Sequence, residues 1–526
     1  MSLDPASLQI LLSRLAGVAE EMSAVLRRAA FSPNIKERAD CSAAVFTAEG
    51  ELLAQAENIP VHLGSMPASV AAAIARFGPG APPADRVVAG EQIILNDPFA
   101  GGTHLNDITV VAPCFVGDRL VGWAATRAHH ADVGGSAPGS LPADAIEIFA
   151  EGLRIPPVRL TAEVRALILA NSRTPEERSG DLDAQVGANA VGVDRLAALA
   201  DEPRHEALDY GERRMAQALH DLPDGTWRFT DVIDSFGPSA EQQVATTIAL
   251  TMTIEGDRIT FDFTGTDPQR PGNVNAVEAV TVSSVGFALR AAIDPTLPAN
   301  GGTLRPLRVI APVGSIVNAR PPAAVGAGNV EVSQRVADVC FGALATALPG
   351  RLGGASQGTM NNLLIGNDRW VYYETVAGGQ GGRPTGEGMS GVHTHMTNTR
   401  NTPIEALERS FPLRVRRLRL RQGSGGIGAH AGGEGIERDI EVLESAVLSL
   451  ITERRTSQPW GIDGGGPGAV GENWLLPGGD ESRAERLPDK VTRPLAPGDV
   501  VRVRTPGGGG WGVPSAIEPV TDGDAG

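Results

Sequence analysis

The sequence is poor in lysine, cysteine, histidine and aromatic side chains. Two lysines, Lys36 and Lys490, stand among 45 basic residues, against 62 acidic ones, for a formal charge of -17. That balance excludes nucleic acid as a main partner. Cys41, Cys114 and Cys340 are odd in number and far apart, which excludes a zinc ribbon and a disulfide framework. No apolar run approaches the ~18 residues of a membrane span. The opening MSLDPASLQ has no basic or apolar leader, so no signal peptide and a cytoplasmic location are expected. Neither lysine follows a glycine, which excludes a P-loop for ATP.

The nine histidines are unevenly placed. Four of them, His62, His104, His129 and His130, fall in the first 130 residues. Three lie in one stretch, NDPFAGGTHLNDITVVAPCFVGDRLVGWAATRAHHAD, from Asn96 to Asp132. Two apolar runs joined by Gly117-Asp118 predict an antiparallel hairpin with a two-residue turn. With Val116 facing Arg119, Asp107 lies opposite Ala128, and His129 opposite Asn106. His104, Asp107 and either His129 or His130 then meet at one end. A one-residue slip in register exchanges those two histidines, so pattern alone leaves both open. Such residues at a strand end commonly serve as surface or capping groups. The clustering of scarce histidines argues instead for a divalent metal with open coordination positions.

The rest of the chain predicts a multidomain α+β protein. An N-terminal region, 1–224, carries the candidate metal site and antiparallel hairpins. It begins with an amphipathic helix from Asp4-Pro5, striped by Leu8, Leu11, Leu15, Val18, Met22 and Leu26. A strand over Ser42–Phe46 follows, with Asp40 at its mouth in a charged loop. Ser65 is expected to cap a short helix ending at Phe77. After the hairpin, DVGGSAPGSLPADA is long enough for a lid. Thr161 to Leu219 is helical by pattern, with Arg178, Asp181, Asp183 and Gln185 expected on a solvated face or between helices. A central mixed region, 225–420, includes a helix over Val332–Ala347. A glycine-dense region, 421–513, is expected to be β-rich, and 514–526 a loose tail.

Two familiar motifs match by chance. Gly423–Gly428 fits GxGxxG, but AHAGGEG follows where a phosphate-binding helix should start. Gly354–Gly358 fits GxSxG, but no strand precedes it.

AENIPVHLGSMP, NDPFAGGTHLNDITVVAP, RAHHADVGGSAPGS, DLDAQVGAN, THMTNTRNTPIEALE and PGDVVRVRTPGGGGWGVP resemble the hydantoinase B/oxoprolinase family, in the family's order over nearly the whole chain. The resemblance implies a divalent metal (Mn, Zn or Fe) held by Asp40, His104, Asp107 and His129. Within it, His130 and Asp132 are candidates for general base, and His62 for a substrate-facing group or one that orients the ligands. It also implies an actin-like ATPase partner subunit in a hetero-oligomer. The partner spends ATP to phosphorylate the carbonyl oxygen of a hydantoin, 5-oxoproline or related lactam, and this chain opens the ring. Carboxylation of a ketone is the alternative chemistry, and a non-catalytic scaffold the alternative of another class.

Overall fold

The computed structural model describes residues 3–56 and 58–514; the expected tail beyond 514 lies outside them. The first sheet has strand order β2-β1-β5-β4-β3-β6. Its strands are β1 (Cys41–Phe46), β2 (Leu52–Gln55), β3 (Ile93–Leu95), β4 (Asp107–Val116), β5 (Arg119–His129) and β6 (Val158–Arg159). Helix α1 (Pro5–Ala29) starts where Asp4 accepts hydrogen bonds from the amides of Ala6 and Ser7. A short helix, α2 (Pro33–Lys36), leads into β1.

Strand alternation gives this sheet two apolar faces. Ala43, Val45, Cys114 and Ala124 pack with the stripe of α1. Ala44, Phe46, Val111, Trp123 and Ala125 pack on α3 (Ser65–Phe77). Gly64, not Ser65, sits at the α3 cap position. The helical stretch predicted after the hairpin divides into α4 (Ala162–Ala170), α5 (Pro175–Ala197) and α6 (His205–His220). Its polar residues are not solvated: Arg178, Asp181 and Gln185 are fully buried, and only Asp183 meets solvent. Helix α5 is covered by α1 on one side and lies across β4 and β5 on the other, so its polar groups must find partners inside the protein.

The second sheet, β10-β9-β8-β7, comprises β7 (Gly225–Ile233), β8 (Thr246–Glu255), β9 (Arg258–Asp262) and β10 (Leu307–Ile310). Helices α7 (Glu278–Ile293), α8 (Gly301–Leu304) and α9 (Ser333–Ala347) accompany it, and α9 packs on β7 and β8. The third sheet, β12-β11-β15-β18, joins β11 (Asn362–Gly366) and β12 (Val371–Thr375) to β15 (Ala446–Ile451) and β18 (Lys490–Leu495). It crosses the boundary expected at 420. One buried apolar cluster likewise runs from Ile59 to Ile451 and crosses 224. The rise in glycine content marks a change of backbone packing and not the end of a core.

Helix α10 (Ile404–Ser410) precedes the fourth sheet, β13-β14-β19-β16-β17. Its strands are β13 (Leu413–Arg421), β14 (Gly435–Val442), β16 (Glu472–Leu476), β17 (Glu485–Leu487) and β19 (Val500–Arg504). The glycine runs between these strands form extended segments packed backbone to backbone. Gly382 N donates to Gly509 O at 2.8 Å, and Gly508 N to Gly433 O at 2.9 Å. A Cβ at Gly508 would lie 2.0 Å from Gln380 O, so only glycine permits this approach.

Candidate metal centre and adjoining chamber

The hairpin forms around Gly117, whose φ of 58° suits the turn, but its register changes on the way to the site. Phe115 faces Leu120 while Cys114 faces Gly122, which leaves Val121 as the extra residue of a β-bulge. Beyond the bulge Asp107 lies opposite His129, not Ala128. Bulges carry little local sequence signal, and this one separates the histidines. His129 shares a face with Asp107, while His130 turns to α5, where its Nε2 is 2.9 Å from Gln185 Oε1.

Asp107 is the hub. His104 Nε2 lies 3.0 Å and His129 Nδ1 3.3 Å from its Oδ1, and His62 Nε2 is 3.4 Å from Oδ2. Thr103 Oγ1 donates to Oδ2 at 2.7 Å. His62 is itself held by Ser42 Oγ at 2.9 Å. Burial by itself would raise the Asp107 carboxyl, but His104, His129 and His62 hold it well below the usual carboxylate range. Burial also lowers His129, favouring the neutral imidazole that ligates metals. Among the described residues, both ring nitrogens of His104 and Nε2 of His129 are buried with no hydrogen-bond partner.

Asp40 is buried beside them and lines the same cavity, about 20 Å³ in volume. That is room for one ion or one water. Asp40 has no ion-pair partner among the described residues, and its carbonyl accepts from His129 N at 3.0 Å, which ties the loop to the end of β5. One carboxylate and two imidazoles with ligand atoms within 4.8 Å of one another, plus the nearby Asp40, match the donor set of a divalent transition metal.

The two candidate bases lie elsewhere. His130 and Asp132 are fully buried outside this cavity. Asp132 accepts from the amides of Gly134, Gly139 and Arg173 and from the Arg173 guanidinium at 2.8 Å. It therefore clasps the loop after the hairpin. That loop is largely buried and hydrogen-bonded through residue 143, and does not form a lid. Four contributors carry no local signal. Asn329, Met396 and Thr399 complete the wall, and Tyr373 stacks on His129 with ring centroids 4.7 Å apart. All come from segments more than 180 residues downstream of the hairpin, and only the tertiary fold brings them in.

A second cavity, about 550 Å³, adjoins the first and shares Ile59 and Thr397 with it. Phe287, Phe341 and Leu352 give it apolar walls, and Gln55, Ser356 and His395 are among its polar ones. Ser356 sits in irregular backbone, as the missing strand before GxSxG predicts.

Fold and site together define a mixed α/β protein with a buried His-Asp-His cluster beside a substrate-sized chamber. The chain belongs to the hydantoinase B/oxoprolinase family, whose model matches residues 4–514. An uncharacterized protein of Methanocaldococcus jannaschii is 41% identical, over 97% of this chain and 91% of that protein. 5-oxoprolinase 1 of Arabidopsis thaliana is 36% identical over 97% of this chain, which spans 42% of that protein's length. Among solved structures, the ATP-dependent caprolactamase from Pseudomonas jessenii matches with a TM-score of 0.89 and 28% identity, covering 98% of this chain and 92% of that one. Among the described residues no helix is long and apolar enough to cross a membrane.

Proposed function

We propose that this chain is the metal-dependent ring-opening subunit of an ATP-driven cyclic amidase, acting on a hydantoin, 5-oxoproline or related lactam. The observation that carries this reading is the Asp107 cluster, with buried imidazole nitrogens left unpaired in an ion-sized cavity beside a chamber large enough for a small ring. The relatives named 5-oxoprolinase and caprolactamase support the choice of a ring amide. Amide resonance makes such a carbonyl a poor electrophile, and phosphorylation of its oxygen by a partner ATPase subunit removes that resonance. A divalent ion held by His104, Asp107, His129 and Asp40 would supply Lewis-acid charge at this point.

The protein's own groups do the positioning. Asp107 Oδ1 faces His104 Nε2 and His129 Nδ1, so the three groups converge on one position. Thr103 and His62 hold Oδ2, fixing the plane of the carboxylate. Tyr373 limits rotation of the His129 ring. His130 and Asp132 serve the scaffold and take no part in proton transfer.

Elemental analysis tests the site directly. Wild-type chain incubated with Mn or Zn should retain about one ion per chain, as a single such donor set allows, and His104→Ala should retain none. A wild-type chain that stays metal-free overturns the reading. With a site in hand, ring opening of hydantoin, 5-oxoproline and caprolactam in the presence of ATP and the ATPase subunit identifies the substrate.

A further inference from the structure

The large chamber contains a second histidine-carboxylate pair, which no step above uses. His395 occupies the left-handed backbone region at φ 56°, a conformation that non-glycine residues keep only where the surroundings impose it. Its Nε2 is 3.2 Å from Asp338 Oδ1. Asp338, fully buried on α9, accepts from Arg454 Nη2 through its other oxygen at 2.7 Å. Burial would raise that carboxyl, but His395 and Arg454 hold it below its ordinary value, so it remains a charged acceptor. The His395 ring packs against Phe341 at 4.9 Å and Phe287 at 6.2 Å between centroids. The contact is an ion pair by distance, without the alignment of a hydrogen bond, and it leaves Nδ1 with no partner among the described residues. Two other ring nitrogens in the chamber wall, Trp460 Nε1 and His393 Nδ1, are buried without partners among the described residues.

These unpaired groups suit a ring amide. The Trp460 N–H only donates and fits the oxygen of the ring carbonyl or its phosphoryl group, whereas an imidazole nitrogen can pass a proton to the ring nitrogen. We propose that His395 is the proton-carrying catalytic residue of this chamber and acts through Nδ1, while Asp338 is a positioning residue that fixes its tautomer. The inference rests on the ring-amide reading above. In the step it serves, water adds its oxygen to the carbonyl carbon and gives its proton, by way of Nδ1, to the ring nitrogen. The C–N bond then breaks with its electron pair staying on nitrogen. The proton of the new hydroxyl follows the same route, which leaves an amine and an acyl phosphate, and a second water hydrolyses the latter to carboxylate and phosphate.

Histidine-selective 15N NMR of the full chain tests this, with His395→Gln assigning the resonance. The neutral ring should carry its proton on Nε2, and millimolar hydantoin or 5-oxoproline should shift the Nδ1 signal. Asp338→Asn should abolish the tautomer preference. In the enzyme assembled with its ATPase subunit, His395→Gln should lower kcat about 100-fold, the scale of a lost proton-transfer group, with KM little changed and bound metal unchanged. A proton on Nδ1, a signal that neither ring amide moves, or an unaltered kcat would overturn the inference. Such a result in a chain that still binds metal leaves the metal reading standing. A chain that binds no metal but whose His395 senses the ring amide fails in the opposite way.

Discussion

At the junction between β7 and the third sheet, Lys490 donates to Glu453 at 2.5 Å and to Asp489 at 3.0 Å. Asp234 accepts from the amides of Arg455, Thr456 and Ser457, and its own amide donates to Glu453. Asp489 takes further donors from Ser235 and Gln243. Both oxygens of all three carboxylates are thus occupied. The cluster on Asp107 is buried just as deeply, yet both ring nitrogens of His104 and Nε2 of His129 have no hydrogen-bond partner among the described residues. Two nests of buried charge therefore differ in completeness. The closed one joins the sheets, while the open one has donor atoms to offer a ligand.

Removing a partner from the closed network should have the largest effect on folding. Lys490→Ala leaves Asp489 without its buried cation and Glu453 with only the Arg335 guanidinium at 3.7 Å, and should cost ~3–5 kcal/mol in denaturant unfolding, with metal content unchanged. Loss of metal in this variant would show that the two regions are not independent. In the open cluster, Asp107→Asn should weaken metal binding by more than the ~10–100-fold typical of losing a neighbour of a ligand. Its effect on unfolding of the metal-free chain should be smaller than that of Lys490→Ala. Equal losses of stability would mean that Asp107 is structural and would end the contrast.

Tyr373→Leu probes the border of the open cluster. Its ring stacks on His129 and lies 4.8 Å from the Arg38 guanidinium, and its hydroxyl donates to Asn362 at 2.9 Å. Such ring stacking is worth ~0.5–1.5 kcal/mol, so metal should bind several-fold more weakly, read by competition with a chelator. Unchanged affinity would mean that Asp107 alone orients His129.

The contrast also explains what the sequence could reveal. Helix α1, the hairpin and α9 were legible because each is written in local periodicity and punctuation. His104 and Asp107, three residues apart before a strand, were legible for the same reason. The bulge at Val121 was not, and without it the choice between His129 and His130 stayed open. The polar face of α5 reads equally as a solvated face or as contacts between helices, because composition does not say what covers a helix. Tyr373, Asn329 and the His395–Asp338 pair depend on contacts between segments far apart in the chain. Asp40 came from family resemblance, since its loop carries Lys36, Glu37 and Arg38 and reads as an ordinary charged turn. The glycine runs announced an unusual region but not its packing, which rests on backbone contacts that side-chain patterns do not encode.

The smallest expected effect belongs to His393, at the chamber edge. Burial lowers its pKa to about 4, and its bond to Asn401 opposes that shift only in part. The folded value is below the ~6.5 of an unfolded histidine, so between the two the unfolded chain binds more protons. The contribution of neutral His393 is therefore fully present above about pH 6.5 and is lost as pH falls toward 4. His393→Asn should flatten the decline in urea midpoint between those values by no more than one proton's worth, less where its exposed ring edge stays hydrated. A variant that follows the wild-type curve throughout would show that the ring is solvated in the native chain, and the chamber wall would then have one unpaired nitrogen fewer to offer a substrate.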